Sequence, residues 1–225
     1  MYDIVYVLKE TDENEELRYS LRSLANFPHR KVWFYGGCPK DLKPDYHVKV
    51  LQDKPTKWEN INKMLKLAVV NNKITSNFWL FNDDFYIMEK VSKPVNYYDG
   101  SLYKRIVTLE DKFNGMTEYS KQLRKICQEL IVMGCDTRNF CVHIPMLVNR
   151  KKAQELFNII DSPMFRSLYG NYHNIKAEQL PDCKISNVEL KWKGSQYLST
   201  NDNSFKGNVG EQIKKYFPDK CKYEI

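Results

Sequence analysis

The sequence predicts an α/β fold, a mostly parallel sheet flanked by helices and followed by a more helical second half. Two observations carry this reading. Over residues 1–91, apolar β-branched and aromatic runs alternate with segments whose apolar residues recur every three to four positions, in the order β-α-β-β-α-β. Strands separated by helical crossovers of this kind return in parallel to one sheet. Over residues 92–225 helical spacing dominates. A length of 225 residues with 42% hydrophobic content suits one domain with a sizeable core.

Taken in order, "DIVYVLK" (3–9) is an apolar run suited to a buried strand. Thr11, Asp12 and Asn14 offer helix caps, and "EELRYSLRSLANF" sets Leu17, Leu21 and Leu24 on one helical face. "KVWFYGG" (31–37) and "YHVKVLQ" (46–52) are the second and third strands. Trp58, Ile61, Leu65, Ala68 and Val69 then mark a helix, and "NFWLFNDDFYIM" (77–88) a strand. The segment 92–101 is expected to be a loop dividing the sheet from the helices. Helices follow over 117–134, 149–161 and 210–217, and the alternation of "VELKWKG" (188–194) predicts a strand or hairpin arm.

Composition excludes several classes. No apolar run approaches the roughly 20 residues that span a bilayer. The chain starts on a strand pattern instead of a signal-peptide pattern, and its six cysteines are scattered without a CxxC pair. Reduced thiols and a cytoplasmic location are therefore expected. The net charge of +7 suits an anionic partner, although the lysines are spread along the whole chain and a solvated surface accounts for most of them.

The chemistry-bearing stretch is "FWLFNDDFYIM", in which Asn82, Asp83 and Asp84 interrupt an apolar ribbon. In parallel α/β sheets, ligands bind beyond the carboxyl ends of the strands, where polar residues are expected. Two adjacent carboxylates repel, so a shared site needs a raised pKa or a cation between them. Mg²⁺ or Mn²⁺ completed by diphosphate oxygens meets that need. Because neighbouring strand side chains point to opposite faces, both acids reach one site only if the strand bends or ends there. The plain alternative is an Asp-Asp turn inside a hairpin.

Five segments in this order, "DIVYVLKETD", "EELRYSLRSL", "LFNDDFYIM", "VHIPMLVNR" and "YLSTNDNSF", resemble the successive signature regions of the Stealth family of sugar-phosphate transferases. The resemblance implies a GT-A-like core that binds a nucleotide-sugar donor, a divalent cation, and transfer of sugar-1-phosphate to a hydroxyl acceptor such as a glycan. It implicates Asp83 and Asp84 in metal or diphosphate handling with Asn82 beside them, Arg18 and Arg22 from the first helix, His143 and Arg150, Arg166 as a looser match, and Asn201, Asp202 and Asn203. The long segment usual between the first two signature regions is missing. Val7-Leu8-Lys9-Glu10 replaces the usual Trp-Val-Asp/Asn-Gly pattern, which leaves sugar transfer at the anomeric carbon as a second reading.

The residue types suit the chemistry on their own. Arginine stabilises phosphoryl oxygens through paired hydrogen bonds, and a neutral histidine accepts the proton of an attacking hydroxyl. Each also has a plain structural reading: His143 as a core histidine, Arg18 and Arg22 as partners of Glu15 or Asp12, and Asn201-Asp202-Asn203 as a polar turn. Neither Gly36-Gly37 nor "GNVGEQ" makes a phosphate loop. A non-enzymatic glycan- or nucleic-acid-binding protein is the third class, motivated by the basic balance and fifteen tyrosines, and nucleic acid also stands as an acceptor class for a transferase.

Overall fold

The computed structural model describes the chain from Met1 to Ile225 apart from Asp161 and Pro163, and all statements below concern the described residues. Asp161, the last residue of the helix expected over 149–161, lies outside them.

The strands are β1 (Asp3–Leu8), β2 (Val32–Gly36), β3 (Tyr46–Val48), β4 (Asn77–Phe81), β5 (Phe85–Ile87), β6 (Asn96–Tyr98), β7 (Met146–Asn149), β8 (Ala177–Gln179) and β9 (Tyr197–Ser199). The helices are α1 (Glu15–Ser23), α2 (Lys57–Val70), α3 (Leu102–Lys112), α4 (Glu118–Val132), α5 (Arg150–Ile159), α6 (Phe165–Tyr172), α7 (Asp202–Phe205) and α8 (Asn208–Tyr216). The central sheet has the order β3-β2-β1-β4-β7. Its first four strands are parallel, and β7 runs antiparallel against β4. This is the mostly parallel, helix-flanked α/β architecture the alternating pattern predicts.

Both faces of the sheet are covered, which is why β1 is buried at every residue instead of alternating with polar ones. Val5, Val7 and Leu80 face Leu65 and Ala68 of α2, whereas Ile4, Tyr6 and Leu8 face Leu17 and Leu21 of α1. Each fully buried leucine of this kind contributes roughly 2 kcal/mol. The helices start where short polar side chains meet free backbone N–H groups: the Asn14 oxygen accepts from Leu17 N at 2.9 Å, and Thr56 and Glu59 cap α2 reciprocally. The buried Asp3 is satisfied by Arg30 through bonds of 2.7 and 2.9 Å and by Trp33 at 3.1 Å.

The topology places the site. From β1 the chain winds outward through β2 to β3, then crosses back to lay β4 on the other side of β1. The direction of winding therefore reverses between β1 and β4, and the crevice beyond their carboxyl ends is where open α/β sheets bind ligands.

Several expectations need correction. The apolar run 77–88 is two strands: β4 ends at Phe81, Asn82–Asp84 turn, and β5 joins a separate sheet by pairing antiparallel with β9. The two strands do not pair with each other, so the turn is not a hairpin. The region 188–194 is not a strand: Val188 and Leu190 are exposed, and no other strand lies alongside. Within 92–101, β6 pairs in parallel with β8. The third strand is shorter than expected, ending at Val48. All six cysteines are free thiols, and no helix is long and apolar enough to cross a membrane.

Candidate functional site

A cavity of about 740 Å³ opens beyond the carboxyl ends of β1 and β4. Val7 and Leu80 form its base, Asn82–Phe85 one side, α2 and α3 another, and His143, Arg166, Lys184, Asn201 and Asp202 close it. The bend after Phe81 lets both acids reach this space, meeting the geometric condition that adjacent strand residues otherwise fail.

Asp84 carries the more elaborate surroundings. Its Oδ2 accepts from Lys184 Nζ at 2.8 Å and from the buried Ser199 hydroxyl at 3.0 Å. Its Oδ1 is buried with no hydrogen-bond partner. Asp83 Oδ2 accepts from Asn14 Nδ2 at 2.7 Å, which ties it to the cap of α1. Burial and then the Asp84 charge push the Asp83 carboxyl upward. A third acid, Glu16 of α1, lines the same cavity. Burial raises it to about 7, with Asp84, Asp83 and Asp202 adding to the shift and a 2.5 Å bond from Thr200 opposing it.

Elsewhere on the cavity lining, His143 Nδ1 lies 2.8 Å from Asp182 Oδ1, and Arg105 Nη2 lies 3.4 Å from the other oxygen of Asp182. Burial alone would raise the Asp182 carboxyl, but the His143 hydrogen bond and the charges of His143 and Arg105 hold it below the usual range. The backbone at His143 has φ of +50°, a left-handed conformation that costs a non-glycine residue about 1–2 kcal/mol. Phe85 meets the imidazole edge-on, and the Cys183 thiol donates to the His143 carbonyl at 3.2 Å.

Arg166 reaches in from α6. It donates to the carbonyls of Ile144 and Leu80 at 3.0 and 3.2 Å and to Asn82 Oδ1 at 3.2 Å, and its guanidinium lies over the Phe85 ring. Burial lowers its pKa, yet a guanidinium stays cationic at neutral pH. Asn82 thus orients the arginine in this structure. Asn201 caps α7 through Ser204 N, and both Asn201 and Asp202 border the cavity. Asn203 is exposed.

The remaining arginines sit elsewhere. Arg22 makes paired bonds of 2.7 and 2.8 Å to Glu224 and donates to the carbonyls of Phe217 and Pro218, which ties down the chain's last turn. Arg18 pairs with Asp41 and approaches Glu224 at 3.9 Å. These partners replace the Glu15 and Asp12 of the local reading. Arg150 lies beyond the opposite end of β4: Asn149 is registered with Asn77, and Arg150 N donates to Ser76 O. None of the three lines the cavity.

The donor set suits a divalent cation held partly by the protein. Among the described residues no three His, Cys, Asp or Glu side chains converge as a ready-made metal site. A hard cation bound by one or two carboxylates and a ligand's own oxygens does not require three. Asp84 Oδ1, buried and unpartnered, together with the destabilised Asp83 carboxylate, fits that description.

Sequence reasoning missed Glu16, Arg105, Asp182 and Lys184. Glu16 follows Glu15 in the first turn of α1, where acids ordinarily complement the helix dipole. Fold and site together define an α/β protein whose largely apolar cavity at the topological switch point carries charged groups of both signs. No protein-family model matches the chain, and no curated protein matches it.

Proposed function

We propose that the protein is a metal-dependent transferase of Stealth type, with a GT-A-like core, that moves sugar-1-phosphate from a nucleotide sugar to a hydroxyl acceptor such as a glycan. One observation supports the reading: a histidine held by an aspartate, a buried arginine and a lysine ion-paired to Asp84 line the same cavity as the carboxylate pair at the switch point. The 740 Å³ volume is of the size that encloses a small-molecule ligand.

With Nδ1 bonded to Asp182, the lone pair of His143 lies on Nε2, positioned to take the acceptor's hydroxyl proton. The acceptor oxygen bonds to the donor's sugar-bearing phosphorus. The bond from that phosphorus to the bridging oxygen breaks, and nucleoside monophosphate leaves. Arg166 and Lys184 supply positive charge to the phosphoryl oxygens. A divalent ion held by Asp83 and Asp84 supplies further neutralisation of diphosphate charge.

The test is incubation of the protein with a panel of nucleotide sugars and Mn²⁺, with phosphorus NMR of the products. Nucleoside monophosphate and a new phosphodiester are expected. Release of intact nucleoside diphosphate would instead establish transfer of the sugar itself, and no donor turnover with any member of the panel would count against the enzyme reading.

A further inference from the structure

The cavity has two chemically distinct sides. Its acids, Glu16, Asp83, Asp84 and Asp202, come from α1, the turn between β4 and β5, and α7. The side formed by α2 and α3 contributes Lys57, Arg105 and Lys112 and no acid. Arg105 is engaged by Asp182, but Lys57 and Lys112 are exposed and make no ion pair among the described residues. Each lies over its neighbouring ring, 5.2 Å from the centre of Trp58 and 5.6 Å from that of Phe113, a contact that leaves the positive charge uncompensated. The apolar lining is continuous: Val7, Leu65, Leu80, Leu109, Met164 and Phe165 all belong to the cluster that packs α2 against the sheet. It reaches the outside at the turn between α3 and α4, where Phe113 lines the cavity yet is 58% exposed and Met116, beside the lining residue Thr117, is 64% exposed.

We propose that this side of the cavity binds a lipid phosphate, the carrier of the hydroxyl acceptor, with the hydrocarbon chain on the apolar wall and leaving over Phe113, and the phosphate charge balanced by Lys57 and Lys112. The acceptor role rests on the transferase reading; the binding site does not. A hydrocarbon lining that continues into an exposed apolar edge suits a chain longer than the cavity itself. The two uncompensated lysines require the ligand to carry negative charge as well. The base of a nucleotide matches this wall poorly, because placed polar groups must fix its edge. The cavity's amides, Asn82 and Asn201, are sequence neighbours of Asp83 and Asp202 and are already bonded to Arg166 and to Ser204 N.

Isothermal titration calorimetry of the full chain with farnesyl phosphate, held below its micelle concentration, tests the site. Phe113→Asp and Lys57→Gln/Lys112→Gln should each bind about tenfold or more weakly. Val132→Asp and Lys93→Gln/Lys215→Gln, which make the same changes at exposed positions outside the cavity, should bind as the parent does. Equal weakening in these controls would show unspecific uptake of an amphiphile and overturn the site. Isopentenyl phosphate, with the same head and a shorter chain, should bind more weakly than farnesyl phosphate, and equal affinity would remove the apolar wall from the interaction. Displacement of farnesyl phosphate by free uridine would give the wall to the donor's base and overturn the lipid assignment. If the parent binds farnesyl phosphate but turns over no donor, the transferase reading fails while the site stands; donor turnover without farnesyl phosphate binding would do the reverse.

Discussion

His143 and Asp182 are joined by a 2.8 Å bond between Nδ1 and Oδ1, and Arg105 holds the carboxylate from its other oxygen. The imidazole is thereby fixed in one orientation and one tautomer, with its basic nitrogen left for the cavity. On this reading Asp182 is a positioning residue. Asp182→Asn should lower kcat about 10²-fold or more while leaving KM for the donor within a few fold. His143→Ala should lose at least as much, and the double variant should lose little more than the His143 variant alone. Additive losses in steady-state kinetics would separate the two residues and remove Asp182 from the machinery.

Lys184 and Asp84 form a 2.8 Å ion pair in which the side chains are 23% and 13% exposed. Removing only the cation strands a buried carboxylate that already has one unpartnered oxygen. Lys184→Met should therefore cost about 2–4 kcal/mol of stability, and adding Asp84→Asn should recover a large part of it. Urea unfolding of the two single variants and the double variant measures the coupling. A coupling near zero would show that solvent screens the pair.

The sequence pattern showed β1, β2 and β4 as unbroken apolar runs, which are buried on both faces, and α1 and α2 because their apolar residues recur along one face. It failed where an element owes its existence to a distant partner. β5 and β9 are three residues each and are strands only because Phe85–Ile87 meet Tyr197–Ser199. Conversely, 188–194 alternates as a strand does, but its backbone bonds to Asn208 and to the Gln212 side chain of α8 instead of to another strand. The acids at 83 and 84 stood out because polar groups inside an apolar run need an explanation. Glu16, Asp182 and Lys184 look like ordinary surface charges until the fold encloses them.

Arg22 illustrates the same limit from the other side. Its segment, "EELRYSLRSL", resembles a Stealth signature region, yet its partner Glu224 is 202 residues away and invisible to local spacing. The side chain is 10% exposed and the Glu224 side chain 4%. Arg22→Ala should destabilise the protein by about 2–4 kcal/mol and leave turnover of the folded fraction within a few fold. Arg166→Ala should instead abolish turnover, since its guanidinium lies among Asn82, Phe85 and the cavity wall. Melting curves combined with activity per folded molecule distinguish the two. Loss of activity in a fully folded Arg22 variant would return that residue to the site.

Glu16 gives the fold a pH dependence of predictable sign. Its carboxyl rises from an ordinary 4.5 to about 7 because it is buried and then faces Asp84, Asp83 and Asp202, with only the Thr200 hydroxyl opposing. Folded protein therefore holds a proton that unfolded chain releases. Stability from this group is complete below about pH 4.5 and is lost progressively as pH rises through about 7. Glu16→Gln removes the ionisation and should raise the melting temperature at pH 8 by about 2–4 °C, equivalent to roughly 1 kcal/mol for a chain of this length. The advantage should fade as pH falls towards 4.5, and differential scanning calorimetry across that window follows it. Mn²⁺ should raise the parent's melting temperature at pH 8 more than it raises that of Asp84→Asn, because a cation relieves the same repulsion. An advantage of Glu16→Gln that stayed constant with pH would show that the acid is solvated and does not share the field of Asp83 and Asp84.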